Sequence, residues 1–256
     1  MKHTLTLAAW NFRLARRSLL ALWGIFAAQQ LALVVFRICW QGAAGMGLAS
    51  HYYVTMQIFA YLGFYLLTGL AAGLATHNSR RARSGYTWAT LPGTPGQKFA
   101  AKSITIAAAE VVFTAWQFVW YIVEFYPVTA LEVHLARKLY GAALPPANLY
   151  EQVVANNLFS RLLPRRPLQL VILLGTLALS ALLLAALDTV RGWRKLPVFA
   201  VGGLCAWQCF YLVTVEQHPA WMFTSASRNV TMALAAVLAA LTVWWAVRSI
   251  RRGATC

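Results

Sequence analysis

Acidic residues are almost missing from this chain. Only six of 256 residues are Asp or Glu, and only 11% carry charge of either sign. Soluble domains carry about 25% charged residues. With 60% hydrophobic residues and mean hydropathy +0.60, this chain has too few polar side chains to cover its own surface in water. The composition is that of a membrane protein. The short alternating segments of a transmembrane barrel are missing too; apolar runs such as LQLVILLGTLALSALLLAAL take their place. Cysteine is scarce. Cys39, Cys205, Cys209 and Cys256 form no CxxC pair, which argues against a disulfide framework or a zinc site and for core packing. No GxxxxGK[ST] occurs, because GTPGQKF lacks the Lys-Ser/Thr pair, so the chain has no ATP site. HExxH, GxSxG and carboxylate clusters are absent as well. No catalytic, cofactor or metal residue is expected, and the chain is not an enzyme by itself.

Six apolar runs remain, at about 18–39, 52–75, 101–125, 168–188, 196–216 and 230–249. A helical span needs about 20 residues, so the expected fold is an all-α polytopic protein with six transmembrane helices in one domain, 1–256. The first run is longer than the roughly 7–15 residues of a signal-peptide core, which predicts an uncleaved first span. The net charge is +16. The basic residues flank apolar runs, which marks them as topology determinants and lipid-headgroup contacts. With the N-terminus cytoplasmic, 15 of the 22 Lys and Arg fall on inner segments and 7, among them Arg37, Arg137 and Lys138, on outer ones. That bias places both termini in the cytoplasm.

The connections carry their own signals. Residues 3–17, HTLTLAAWNFRLARR, are basic and amphipathic, which predicts an interfacial helix ahead of the first span. The loop at 126–167 is the longest. LEVHLARKLYG reads as a short helix closed by Gly141, and NLYEQVVANNLFSRLL opens with Asn148 three residues before Glu151, a capping-box pattern. Short outer helices are therefore expected between spans three and four. EQHPAWMFTSASRN, between spans five and six, suits a segment that dips part-way into the membrane.

Polar residues within the spans are the candidate pathway. Ser103, Glu110, Gln117 and Glu124 recur every seven residues. A helix drifts only about 20° per heptad, so they share a face. Gln30 and Arg37 repeat that spacing in the first span. The two faces are expected to meet, with Arg37 pairing to Glu124. Gly69 and Gly73 form a GxxxG, which permits close helix approach. Glu216 and His218 lie two residues apart, too few ligands for a metal site.

One stretch remains: RRARSGYTWATLPGTPGQKFAAK, residues 80–102, between spans two and three. With the six-span topology, it resembles the membrane subunits of type-2 ATP-binding-cassette exporters. In that family the inner connection reads as basic residues, an aromatic, Leu-Pro, a small turn, then a polar residue and a lysine. Tyr86, Leu91, Pro92, Thr94 and Lys102 stand at the matching positions here. The resemblance implies that residues 76–100 form a cytoplasmic coupling loop, with a helix from about Ser79 to Thr90 docking on a separate ATPase subunit. Arg80, Arg81, Arg83, Tyr86, Trp88, Leu91 and Pro92 are then the docking residues, and aromatic and Arg side chains are common interface hot spots. The departure from the family is the large outer segment 126–167, since many relatives place their outer elements between spans five and six.

The resulting expectation is a permease subunit of an ATP-driven exporter in a bacterial inner membrane. It would work with a second permease subunit, identical or related, and a cytoplasmic ATPase that binds ATP and magnesium. Gln30, Arg37, Glu110, Gln117 and Glu124 would line the pathway for an amphiphilic cargo: a peptide, an antibiotic or a lipid-like molecule. No nucleic-acid partner is expected. The competing expectations are a proton-coupled secondary transporter using Glu110, and a non-transporting scaffold or sensor subunit.

Overall fold

The computed structural model describes residues 2–75, 90–141, 145, 147–162 and 167–189, with scattered residues between 233 and 248. Among the described residues there is no strand, and seven helices are delimited. They are α1 (Lys2–Trp40), α2 (Leu48–Val54), α3 (Gln57–Leu74), α4 (Pro95–Tyr140), α5 (Leu149–Ala155), α6 (Asn157–Leu162) and α7 (Pro167–Thr189). The helices α1, α3 and α4 are long and apolar enough to cross a membrane. The expected span at 168–188 falls on α7. The expected span at 196–216 and the segment EQHPAWMFTSASRN lie outside the described residues, as does half of the span at 230–249.

Three boundaries differ from the sequence expectation. First, the segment 3–17 is no separate element, because α1 runs unbroken from Lys2 to Trp40. Nothing in Arg13-Leu14-Ala15-Arg16-Arg17 stops a helix, and all five residue types favour one or tolerate it. The stop comes at a glycine-rich stretch. Gly42 is left-handed at φ 64, and the Ala43 N–H closes back on the Arg37 carbonyl at 3.3 Å.

Second, the run at 52–75 is broken. It starts inside α2, and α3 begins afresh at Gln57 after Met56, a non-glycine residue at φ 53. Third, the third span does not end near 125. The 46-residue α4 continues through Pro127 to Tyr140, so LEVHLARKLYG is its last three turns. Gly141, at φ 65, closes it as the sequence suggested. At 1.5 Å per residue α4 is about 69 Å long, against a hydrocarbon core of about 30 Å. Pro127 removes one backbone donor, which a helix tolerates at some cost.

The start of α4 has a local cause. Thr94 accepts at Oγ1 from the Gln97 N–H at 3.3 Å, and Gln97 Oε1 accepts from the Thr94 N–H at 3.0 Å. That is a reciprocal capping box, with Pro95 at the first helical position, where its missing donor costs nothing. Thr94-Pro95-Gly96-Gln97 is therefore a helix start as well as a turn.

The chain divides into two compact units. Unit 1 comprises Met1–Leu19, Thr68–Glu110 and Arg165–Cys256; unit 2 comprises Leu20–Leu67 and Val111–Pro164. In unit 1, Leu7, Ala8 and Ala101 form a buried cluster against which Leu91 packs. Thr105 donates to the Ala8 carbonyl at 3.2 Å and accepts from Asn11 Nδ2 at 3.4 Å. The GxxxG faces this unit's interior. A Cβ on Gly69 would collide with Leu184 and lie 2.7 Å from Glu110 Oε1, and one on Gly73 would meet Ile106 at 3.5 Å. These contacts show the close approach that small residues permit.

Unit 2 is built around rings. Phe26 stacks on Phe64 at 4.6 Å between centroids and lies 5.5 Å from Phe113, which in turn stacks on Tyr61 at 5.5 Å. A second group joins Phe118 to Phe159 at 4.4 Å, Phe159 to Tyr121 at 4.8 Å and Tyr121 to Tyr52 at 5.1 Å. Such pairs add about 0.5–1.5 kcal/mol each beyond area burial.

Candidate functional site

The polar residues of unit 2 meet inside this aromatic frame. On α4, Gln117 and Glu124 are fully buried or nearly so, and Gln30 on α1 is buried opposite them. Gln117 Nε2 donates to Gln30 Oε1 at 3.1 Å. The Tyr52 hydroxyl of α2 donates to Glu124 Oε2 at 2.7 Å. Two buried polar pairs, Gln30 with Gln117 and Tyr52 with Glu124, thus lie along α4. Burial, then the adjacent Glu124 charge, hold the Tyr52 hydroxyl well above the usual tyrosine range.

A few turns further along α4, Glu132 forms a second knot. Its Oε1 accepts from His51 Nε2 at 2.8 Å and from the Gly47 N–H at 3.1 Å. The His51–Glu132 contact is buried, with side chains 0% and 5% exposed. Gln152 of α5 accepts at Oε1 from the Ala49 N–H at 2.9 Å, and its carbonyl accepts from the Tyr121 hydroxyl at 3.1 Å. The orphan donors at the start of α2 are therefore held by two side chains from α4 and α5, the usual need of a buried helix end. The α5 helix is itself started by Asn148, whose side chain accepts from the Tyr150 N–H at 3.0 Å. Asn148 opens the helix as the capping-box pattern suggested.

In unit 1 the Ser180 hydroxyl of α7 donates to Glu110 Oε2 at 2.8 Å. Ser103 and Lys102 are buried on the same helix.

The sequence reading and the structure agree on the heptad. Ser103, Glu110, Gln117 and Glu124 are all buried along α4. The two polar faces do meet, at Gln30 and Gln117. They do not meet at Arg37 and Glu124. Glu124 is occupied by Tyr52, and Arg37 Nη2 points to the Met46 sulfur at 4.0 Å. Arg37 is half-buried, with Nε and Nη1 unpartnered. The connection that folds back into α2 brings in Tyr52, which spacing alone on α1 and α4 does not show.

The docking residues are split. Arg80, Arg81, Arg83, Tyr86 and Trp88 lie outside the described residues, as do Cys205, Cys209, Cys256, Glu216 and His218. Leu91 packs in the unit 1 cluster, and the Pro92 carbonyl accepts from the His3 ring. Both therefore anchor the end of the 76–100 segment to the start of α1. Among the described residues no group of His, Cys, Asp or Glu has the makings of a metal site.

Tyr52, His51, Glu132 and Gln152 are the polar residues that sequence reasoning passed over. Glu132 lies eight residues beyond Glu124, about 80° round the helix, so the heptad spacing does not reach it. Gln152 had no local signal, because its partner Ala49 is 103 residues away. Comparison with protein-family models, curated proteins and solved structures returned no match. The class is thus set by the fold and site alone: a helical chain with long apolar helices that fit a membrane and carry a buried polar interior.

Proposed function

We propose that the chain is the membrane subunit of an ATP-driven exporter, with ATP and magnesium bound by a separate cytoplasmic ATPase. The observation that carries the reading is the buried polar face of α4. Ser103, Glu110, Gln117 and Glu124 sit at 9%, 0%, 0% and 1% exposure on one apolar helix. Ionisable and amide groups on a spanning helix are costly and usually face a pathway or a partner group. The inner connection supplies the second support, through its basic and aromatic residues and its resemblance to type-2 exporter subunits. In this reading two such subunits enclose the pathway in a bacterial inner membrane. ATPase closure is transmitted through residues 79–98 into the firmly capped start of α4, and the cargo is amphiphilic.

The test is co-purification of the full chain with an ATPase carrying GxxxxGK[ST], followed by ATP-driven flux in vesicles. Tyr86→Ala with Trp88→Ala is expected to abolish ATPase binding while leaving the chain folded. Unchanged binding and coupling would refute the docking role.

A second reading keeps a specific observation, the fully buried Glu110 bonded by Ser180. A proton-coupled transporter would use that carboxyl as its carrier. Flux driven by a pH gradient without any ATPase, and lost in Glu110→Gln, would select it.

A further inference from the structure

Unit 2 holds more polar capacity than its own contacts use. Gln57, at the first turn of α3, is 0% exposed, and neither Oε1 nor Nε2 has a partner. Gln117 Oε1 and Glu124 Oε1 are likewise buried and unpartnered, and so is Gln30 Nε2. Buried polar groups are ordinarily satisfied, and unmet ones are costly. The unmet oxygens among them point to a donor that fills them.

The packing of α2 and α3 on α4 brings them to neighbouring levels of unit 2. Tyr61 shares a hydrogen bond with Thr114, and Tyr52 bonds Glu124. Moving back from Tyr61 to Tyr52 therefore moves forward along α4, which brackets Gln57 at the level of Gln117 and Phe118. Gln117 and Glu124 are two turns apart on one face of α4, the first held by Gln30 and the second by the Tyr52 hydroxyl.

The unmet acceptors are the oxygens of Gln57, Gln117 and Glu124. Glu124 is the one carboxylate of this group, and among the described residues it has no basic partner. A buried carboxylate without a cation is strongly disfavoured. A primary ammonium carries one positive charge, three donors and no acceptor. We propose that this level of unit 2 is a binding site for a primary ammonium group, held by Glu124, Gln117 and Gln57, with Tyr52 and Gln30 positioning the first two. As the head group of the cargo, the assignment rests on the exporter reading; as a binding site it stands independently.

The experiment uses the full chain in lipid nanodiscs and titrates n-hexylammonium by calorimetry, against protein-free nanodiscs and against n-hexanol. Saturable binding is expected for the ammonium and not for the alcohol. Glu124→Gln should weaken it about tenfold or more, the loss of one charge-assisted contact. Gln57→Leu should weaken it in the same direction. Glu151→Gln, which removes an exposed carboxylate on α5, should leave it unchanged. Circular dichroism and a monodisperse elution profile identify variants that remain folded. Binding no greater than in protein-free nanodiscs overturns the proposal, as does equal affinity in folded Glu124→Gln. No ATPase or flux enters the measurement, so a failed exporter reading leaves this result standing, and an exporter of neutral cargo fails only here.

Discussion

Gly47 resists substitution. Its φ of 79 lies where side chains are strained, and an added Cβ would sit 2.8 Å from both amide head atoms of Gln152. The same residue donates its N–H to Glu132. Gly47→Ala is expected to lower stability by about 1–3 kcal/mol, read as a lower melting temperature in detergent. Glu132 acts through the same knot. Glu132→Leu leaves His51 and the Gly47 N–H without their acceptor, and breaking a buried pair costs about 3–5 kcal/mol. Adding His51→Leu should recover part of that loss, and a double-mutant cycle on unfolding measures the coupling. At this scale the sequence was informative wherever one helix sufficed. The 103, 110, 117, 124 face followed from periodicity. The expected Arg37–Glu124 pair failed because Tyr52, from a short helix absent from the sequence reading, holds Glu124.

Among the elements, α4 shows how local chemistry and long-range packing divide the work. Its start is local: Thr94→Ala removes one half of a capping box and should cost about 1 kcal/mol, seen as a small drop in melting temperature. Its end at Gly141 is local too. Its length is not, since the apolar run ends near 125 and Pro127 follows it. The helix runs past both, and Glu132 on that stretch is held by α2. The α3 helix shows the complementary case. Its GxxxG is common in small-residue spans, and only the contact of Gly69 with Leu184 and Glu110 gives it a place. Gly69→Leu forces a large side chain into that contact and is expected to destabilise the chain well beyond the usual 0.5–3 kcal/mol of a single substitution, checked by thermal unfolding.

For the whole molecule, the orientation is the property to measure. The orientation expected from the charge bias has the start of α4 in the cytoplasm and α5 outside. Thr94 and Glu151 are both exposed. In a chain cleared of its four cysteines, Glu151→Cys should react with a membrane-impermeant maleimide in intact cells, and Thr94→Cys only after lysis. The opposite pattern would invert the topology and with it the docking of residues 76–100 on a cytoplasmic partner.

Composition and the long apolar runs by themselves pointed to apolar helices that fit a membrane, because 60% hydrophobic residues with 11% charge cannot cover a surface in water. Periodicity determined the polar face of α4, because residues seven apart on one helix share a side whatever surrounds them. Tertiary structure alone decided which polar groups touch. Tyr52 with Glu124, His51 with Glu132 and Ala49 with Gln152 join residues 72 to 103 positions apart. Those pairings depend on a break at Met56, a turn at Gly47 and a cap at Asn148 acting together, and no local spacing encodes that combination.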